Sequence, residues 1–159
     1  MYNDHKTDVN HIYSFKKNLK MTETEIYNYL QLSNSDFEPR LTNRVTLREY
    51  AKKLQEYAVF SGYFYKEQLI SLVAVYANTN IVFVPYIHVK KNHRGKKLAD
   101  KHLDELICEM KLEKKISIKL TVREDSAAHK LYLKHGFYTI RHFNYEGTDI
   151  LGLELELIL

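Results

Sequence analysis

The 159-residue chain has no tryptophan, one cysteine, two prolines and five glycines. A lone cysteine, Cys108, excludes an intramolecular disulfide framework, so an apolar core must hold the fold and a reducing compartment suits it. So little proline and glycine excludes collagen-like and linker-type sequence. No apolar run approaches the roughly 20 residues that span a bilayer. The polar start, Met1 to Lys6, lacks the apolar stretch of a secretory signal, so a cytoplasmic protein without a membrane partner is expected. No metal site is expected either. Cys108 falls beside Ile107 in a helical pattern, where free cysteine commonly packs as a buried or half-buried small apolar group.

Hydrophobic residues make up 45% of the chain and charged residues 28%, which is globular composition. The length suits one domain over residues 1–159, large enough to bury a core. A net charge of +4 permits an anionic partner without naming it. The distribution of cations says more. Lys90, Lys91, Arg94, Lys96 and Lys97 crowd one short segment; a second group gathers at Lys111, Lys114 and Lys115, of which Lys114 and Lys115 read as a solvated connection between helix and strand.

Pattern places the elements in order. A first strand is expected over Val9 to Phe15. Two capping boxes, Thr22 to Glu25 and Thr46 to Glu49, each open a helix, and a polar loop from Ser33 to Asp36 separates them. Three strands follow, Val59 to Tyr65, Leu69 to Tyr76 and Ile81 to Val89, joined by polar turns short enough for an antiparallel meander. A helix from Lys97 to Leu112 crosses over to a parallel strand, Ile116 to Val122. Helix Ser126 to His135 stops at Gly136, and strands Tyr138 to Tyr145 and Ile150 to Leu159 complete the chain. The class is α/β, of α+β type: a mixed, mostly antiparallel sheet of about seven strands with four helices.

The richest segment runs from Val89 to Ala99, where an apolar strand enters a basic glycine turn that opens an amphipathic helix. Unpaired N–H groups at a helix start, the helix dipole and the side-chain cations together suit a polyphosphate.

Arg94-Gly95-Lys96-Lys97-Leu98-Ala99 resembles the acetyl-CoA-binding signature of the GNAT N-acetyltransferases, Arg/Gln-x-x-Gly-x-Gly/Ala, with Lys97 standing where that family usually has glycine. A second block strengthens the likeness: Leu120-Thr121-Val122, then Ala128-His129-Lys130-Leu131-Tyr132, then Gly136-Phe137. The resemblance covers roughly residues 57–159, with a cofactor core at about 81–137, and the element order is that of the GNAT fold.

The resemblance implies acetyl-CoA as cofactor, its pantetheine arm lying between splayed strands against the main chain of Ile87, His88 and Val89. An N–H near Val89 would polarise the thioester carbonyl. Arg94, Gly95, Lys96, Lys97, Leu98 and Ala99 would wrap the pyrophosphate, with Lys97 in ordinary helical angles and its ammonium toward phosphate or solvent. Asp125, where the family usually has asparagine, and Ala128 and Lys130 are further cofactor candidates, although Asp125 or Ser126 equally suits a helix cap. Tyr132 is the candidate general acid for the leaving thiolate. The strand before the turn offers no carboxylate, so His88, acting through a water, is the candidate base. Phe37, Arg44 and Tyr57 are candidate acceptor walls.

The implied activity is acetyl transfer to a primary amine of a small molecule, an aminosugar among the candidates, by direct attack on the thioester. Two alternatives stay open: a catalytically silent acyl-CoA-binding domain, and a basic nucleic-acid-binding module, which the localised cations disfavour. A monomer or a homodimer is compatible with the pattern.

Overall fold

A computed structural model describes residues 12–159. Among these, seven strands form one sheet: β1 (Tyr13–Leu19), β2 (Val59–Tyr65), β3 (Gln68–Tyr76), β4 (Ile81–Val89), β5 (Ser117–Arg123), β6 (Tyr138–Asn144) and β7 (Leu151–Ile158). Four α-helices accompany it: α1 (Glu23–Ser33), α2 (Leu47–Tyr57), α3 (Leu98–Leu112) and α4 (Ala127–Lys134). The strand order is β1-β2-β3-β4-β5-β7-β6, antiparallel throughout except at β4–β5. The expected element order and class therefore hold. The first strand lies later than expected, and positions 9–11 of that expectation fall outside the described residues.

The two early helices start differently. Thr22 accepts from the Glu25 N–H at 3.1 Å while the Glu25 carboxylate takes the Thr22 N–H at 3.1 Å, a complete capping box. Thr46 makes no side-chain cap, contrary to expectation; its carbonyl alone closes the first turn, receiving the Tyr50 N–H at 2.9 Å. Cys108 is exposed rather than buried. The buried stripe of α3 runs through His102, Leu103, Leu106 and Met110, and two residues beyond Leu106 the side chain has turned by about 200°.

The core lies on both faces of the sheet. On one, Leu72, Ala74 and Tyr86 pack against Ile26, Leu30, Ala51 and Leu54 of α1 and α2. On the other, Val73, Val75, Val82 and Val84 pack with Leu103, Leu106 and Met110 of α3 and with Tyr132 of α4. Alternation along β3 sends neighbouring side chains to opposite faces, which is why this central strand is buried almost throughout.

The sheet opens at its centre. Strand β5 pairs with β4 only at Ile81↔Ser117, Val82↔Ile118 and Phe83↔Lys119, after which the two diverge. At the same point the β3–β4 register shifts: Val84 and Pro85 together face the single residue Val75 between the pairs Ala74↔Tyr86 and Tyr76↔Phe83. This is a β-bulge, which bends the strand that carries it. Pro85 brings no N–H to the place where the ladder ends, and its carbonyl is taken by the Tyr50 hydroxyl at 2.8 Å. Beyond the bulge, β4 keeps β3 as its neighbour and shows its other edge to a gap.

Candidate active site

The gap continues into a cavity of about 650 Å³ bounded by β4, the end of β5, the turn before α3, the start of α4 and the segment Asp36–Glu38. Strand geometry decides which backbone groups face it. The Lys90 N–H reaches the Ile70 carbonyl at 2.8 Å, so Lys90 and His88 spend their main-chain groups on β3. Val89 and Ile87, one residue out of phase, turn theirs into the opening. The expectation that His88 serves through its main chain is thereby corrected.

The turn before α3 is shaped by two left-handed residues, Gly95 at φ +76° and Lys97 at φ +60°. Lys97 does not adopt the helical angles expected of it; it precedes the helix at ψ +25° in the conformation a glycine would take without strain. Leu98, the first helical residue, is 2% exposed and packs with Tyr13, Tyr63 and Ile70. Anchoring Leu98 there leaves the chain one residue in which to turn. The N–H groups from Gly95 to Asp100 find no protein acceptor among the described residues, and such a curl concentrates them into an anion-binding concavity. A Cβ added at Gly95 would meet nothing within 4 Å, so the face of the turn is open.

Tyr132 stands on the cavity wall with 3% exposure and its ring against Phe137. Burial, with Tyr145 nearby, pushes its phenol well above the ordinary value, so it holds its proton at neutral pH. Tyr145 is on the same wall, and the Arg44 guanidinium carbon lies 5.1 Å from its ring centroid.

A hydrogen-bonded relay, buried at Tyr29 and His88, occupies the other side. The Tyr29 hydroxyl meets His88 Nδ1 at 3.1 Å, and His88 Nε2 meets Asp36 Oδ2 at 2.8 Å. Since a carboxylate only accepts, Nε2 carries the hydrogen and Nδ1 accepts from the tyrosine. Burial lowers the His88 pKa and outweighs the carboxylate beside it, so the ring is neutral near pH 7. Arg94 adds Nη2 to Asp36 Oδ2 at 3.2 Å and gives Nε to the Val89 carbonyl at 3.0 Å. The His88 hydrogen bond, helped by Arg94 and Lys91, holds the Asp36 carboxyl below the usual carboxylate range.

An acetyltransferase (GNAT) domain model matches residues 21–158. The chain belongs to the GNAT acetyltransferase family. Solved structures with the same fold include the ribosomal-protein-S18-alanine N-acetyltransferase of Escherichia coli, at TM-score 0.72 and 16% identity over 92% of this chain and 94% of that one. Ard1 from Thermoplasma volcanium gives 0.73 and 15% over 93% and 98%. The PaiA N-acetyltransferase of Thermoplasma acidophilum in complex with coenzyme A gives 0.66 and 18% over 92% and 99%. No curated protein matches the sequence.

Acetyl-CoA, the GNAT cofactor, fits the residues present: a concavity of free N–H groups, an open glycine face, and a strand edge on which the Ile87 main-chain groups and the Val89 N–H are unspent while Arg94 takes the Val89 carbonyl. Of the residues anticipated for it, Ile87, Val89, Arg94, Gly95, Lys97, Leu98, Ala99, Ala128 and Tyr132 border the cavity together, as does the His88 side chain. Lys96, Asp125 and Lys130 are exposed and outside it. Asp125 is not the helix cap either: it sits at φ +59°, and Ser126 takes the His129 N–H at 3.1 Å instead. Phe37 and Arg44 are on the wall. Tyr57 is not; α2 ends there, past the part packed on the sheet, and leaves the residue 56% exposed. His88, 5% exposed with both ring nitrogens engaged, has none free to act as a base.

Asp36 and Tyr145 are among the cavity residues that sequence reasoning missed. Asp36 ended a polar loop with nothing local to mark it. Pro85 inside a strand run was a usable signal for the opening, since proline in a central strand marks a break in the ladder.

Proposed function

We propose that this GNAT protein is an N-acetyltransferase that moves the acetyl group of acetyl-CoA to a primary amine of a small molecule by direct attack. The observation that carries this is the strand edge of β4, open beyond Phe83 and flanked by the left-handed turn on one side and the Tyr132 hydroxyl on the other. Bound acetyl-CoA supplies a thioester already activated toward amines. Ile87 and Val89 receive its arm through main-chain groups, as they would a further strand. The Val89 N–H is free to donate where negative charge develops on a carbonyl oxygen. The turn from Gly95 to Ala99 holds the pyrophosphate through N–H groups, with the Arg94 and Lys97 side chains beside it. Tyr132 passes its proton to the leaving thiolate and the proton shed by the attacking nitrogen restores the phenol, whose raised pKa keeps it neutral before and after the step.

Release of free thiol from acetyl-CoA across an amine panel tests the reading. Amine-dependent release is expected from the full chain, and Tyr132→Phe is expected to lower kcat about 100-fold with little change in the KM for acetyl-CoA. Thiol release that no amine stimulates, with coenzyme A still bound, makes the chain an acyl-CoA-binding domain without transfer. Unchanged turnover of Tyr132→Phe, with chemistry rate-limiting, removes the acid role.

A further inference from the structure

We propose that Asp36 determines acceptor specificity, selecting amines that carry a second cationic group besides the one that is acetylated; this rests on the acyl-transfer reading of the same cavity. Both protein partners of the carboxylate, His88 Nε2 at 2.8 Å and Arg94 Nη2 at 3.2 Å, converge on Oδ2. Oδ1 makes no hydrogen bond or ion pair among the described residues, although the side chain is only 18% exposed and borders the cavity. The group is anchored from behind. Tyr29, 7% exposed, fixes the His88 ring, and the ring fixes Oδ2, so Oδ1 keeps its lone pairs unspent on a residue that lines the cavity.

The site already shows its preference for cations. Arg94, whose side chain is 45% exposed and also donates to the Val89 carbonyl, lays its guanidinium on this carboxylate. Phe37 packs against the same relay, its ring 5.9 Å from that of His88, and lines the cavity beside Asp36.

Ion pairing also decides which nitrogen Asp36 can hold. A carboxylate beside an ammonium favours the protonated form and raises its pKa, and an ammonium has no lone pair with which to attack. The nitrogen seated on Asp36 is therefore not the one that reacts. An acceptor that uses the seat needs two basic groups: one held as a cation, the other reaching the acyl carbon as a free amine. Diamines and amines bearing a guanidinium belong to this class; amines with a neutral tail do not.

Titration calorimetry of the full chain saturated with coenzyme A tests this, with putrescine and the amino alcohol of the same length, in which a hydroxyl replaces one ammonium. Putrescine is expected to bind about tenfold more tightly, the worth of one charge-assisted hydrogen bond. Asp36→Asn keeps an oxygen for His88 but loses the charge, and is expected to remove the preference; Asp36→Glu, which keeps the charge, retains it. In turnover, Asp36→Asn raises the KM for putrescine about tenfold, leaves kcat and the KM for the amino alcohol in place, and does not raise the KM for acetyl-CoA. Equal affinities in the unsubstituted protein overturn the proposal. So does an Asp36→Asn protein that loses both amines alike, because a structural role has no reason to distinguish them. If neither amine releases thiol while putrescine binding still depends on Asp36, the cation seat stands and the transfer reading falls. If both are acetylated alike and Asp36→Asn alters neither KM, transfer stands and the seat falls.

Discussion

Replacing Lys97 by glycine is expected to stabilise the protein while weakening its hold on coenzyme A. Lys97 sits at φ +60° and ψ +25°, where an L side chain crowds the following carbonyl at a cost of about 1–2 kcal/mol. Glycine escapes that cost but orders a more flexible unfolded chain, giving back about 0.4–1 kcal/mol. The difference leaves Lys97→Gly more stable by about 0.5–1 kcal/mol, which for a chain of this length raises Tm by about 1–4 °C. Lys97→Ala is the control: it keeps the Cβ and discards only the ammonium, so its Tm should stay with the parent. Neither variant loses a cap, because the Lys97 side chain makes none. Both remove one exposed cation beside the phosphate turn, and coenzyme A affinity should fall about two- to fivefold in each, less at high salt. Thermal melts and calorimetric titration of the three proteins in one buffer make the comparison. If Lys97→Gly melts no higher than Lys97→Ala, the left-handed strain is not there. If glycine tightens coenzyme A severalfold and alanine does not, the side chain obstructs the cofactor instead of attracting it.

Acid should destabilise the fold through His102, which is 1% exposed between Ser61 Oγ at 2.7 Å and Ser71 Oγ at 3.3 Å. Burial pushes its pKa from 6.5 down to about 4. The unfolded chain therefore binds the proton first, so this contribution is complete above about pH 6.5 and shrinks by roughly 3 kcal/mol as pH falls toward 4. Melts across that range should slope downward in the parent and less so in His102→Asn; parallel slopes refute the assignment. Gly62→Ala would set a Cβ 2.5 Å from Leu69 Cδ1 and 2.7 Å from the Ser71 carbonyl oxygen, which is backbone and cannot swing away. A loss of about 2 kcal/mol, or about 4–8 °C in Tm, is expected, and an unchanged melt would mean that β2 and β3 are not so close. Thr22→Ala should cost about 1 kcal/mol and Thr46→Ala much less, since only Thr22 accepts a capping hydrogen bond; equal losses in denaturant melts would contradict the two cap geometries.

Features of the site that sequence reveals are local ones. Tyr132 and the turn at Gly95 carry their own context, a helix start and a strand end within a few residues. Lys97 misled because pattern assigns a residue to a helix by its side chain, whereas its φ is set by the burial of Leu98 next to it. Cys108 and Tyr57 misled because apolar character says nothing about angular position on a helix or about where packing stops. His88 could be named from sequence but not given a role, since its partners Tyr29 and Asp36 lie 59 and 52 residues away.

Sequence by itself determined the order of strands and helices, the side chains of the core and the basic turn, because alternation, helical spacing and capping are properties of neighbouring residues. Only the tertiary structure decided that β4 parts from β5 after Phe83, that the main-chain groups of Val89 and Ile87 rather than those of His88 face the gap, and that Asp36 joins His88 and Arg94 at the cavity wall. Those facts depend on register and on contacts between distant segments, which the folded chain fixes through packing and which no local pattern encodes.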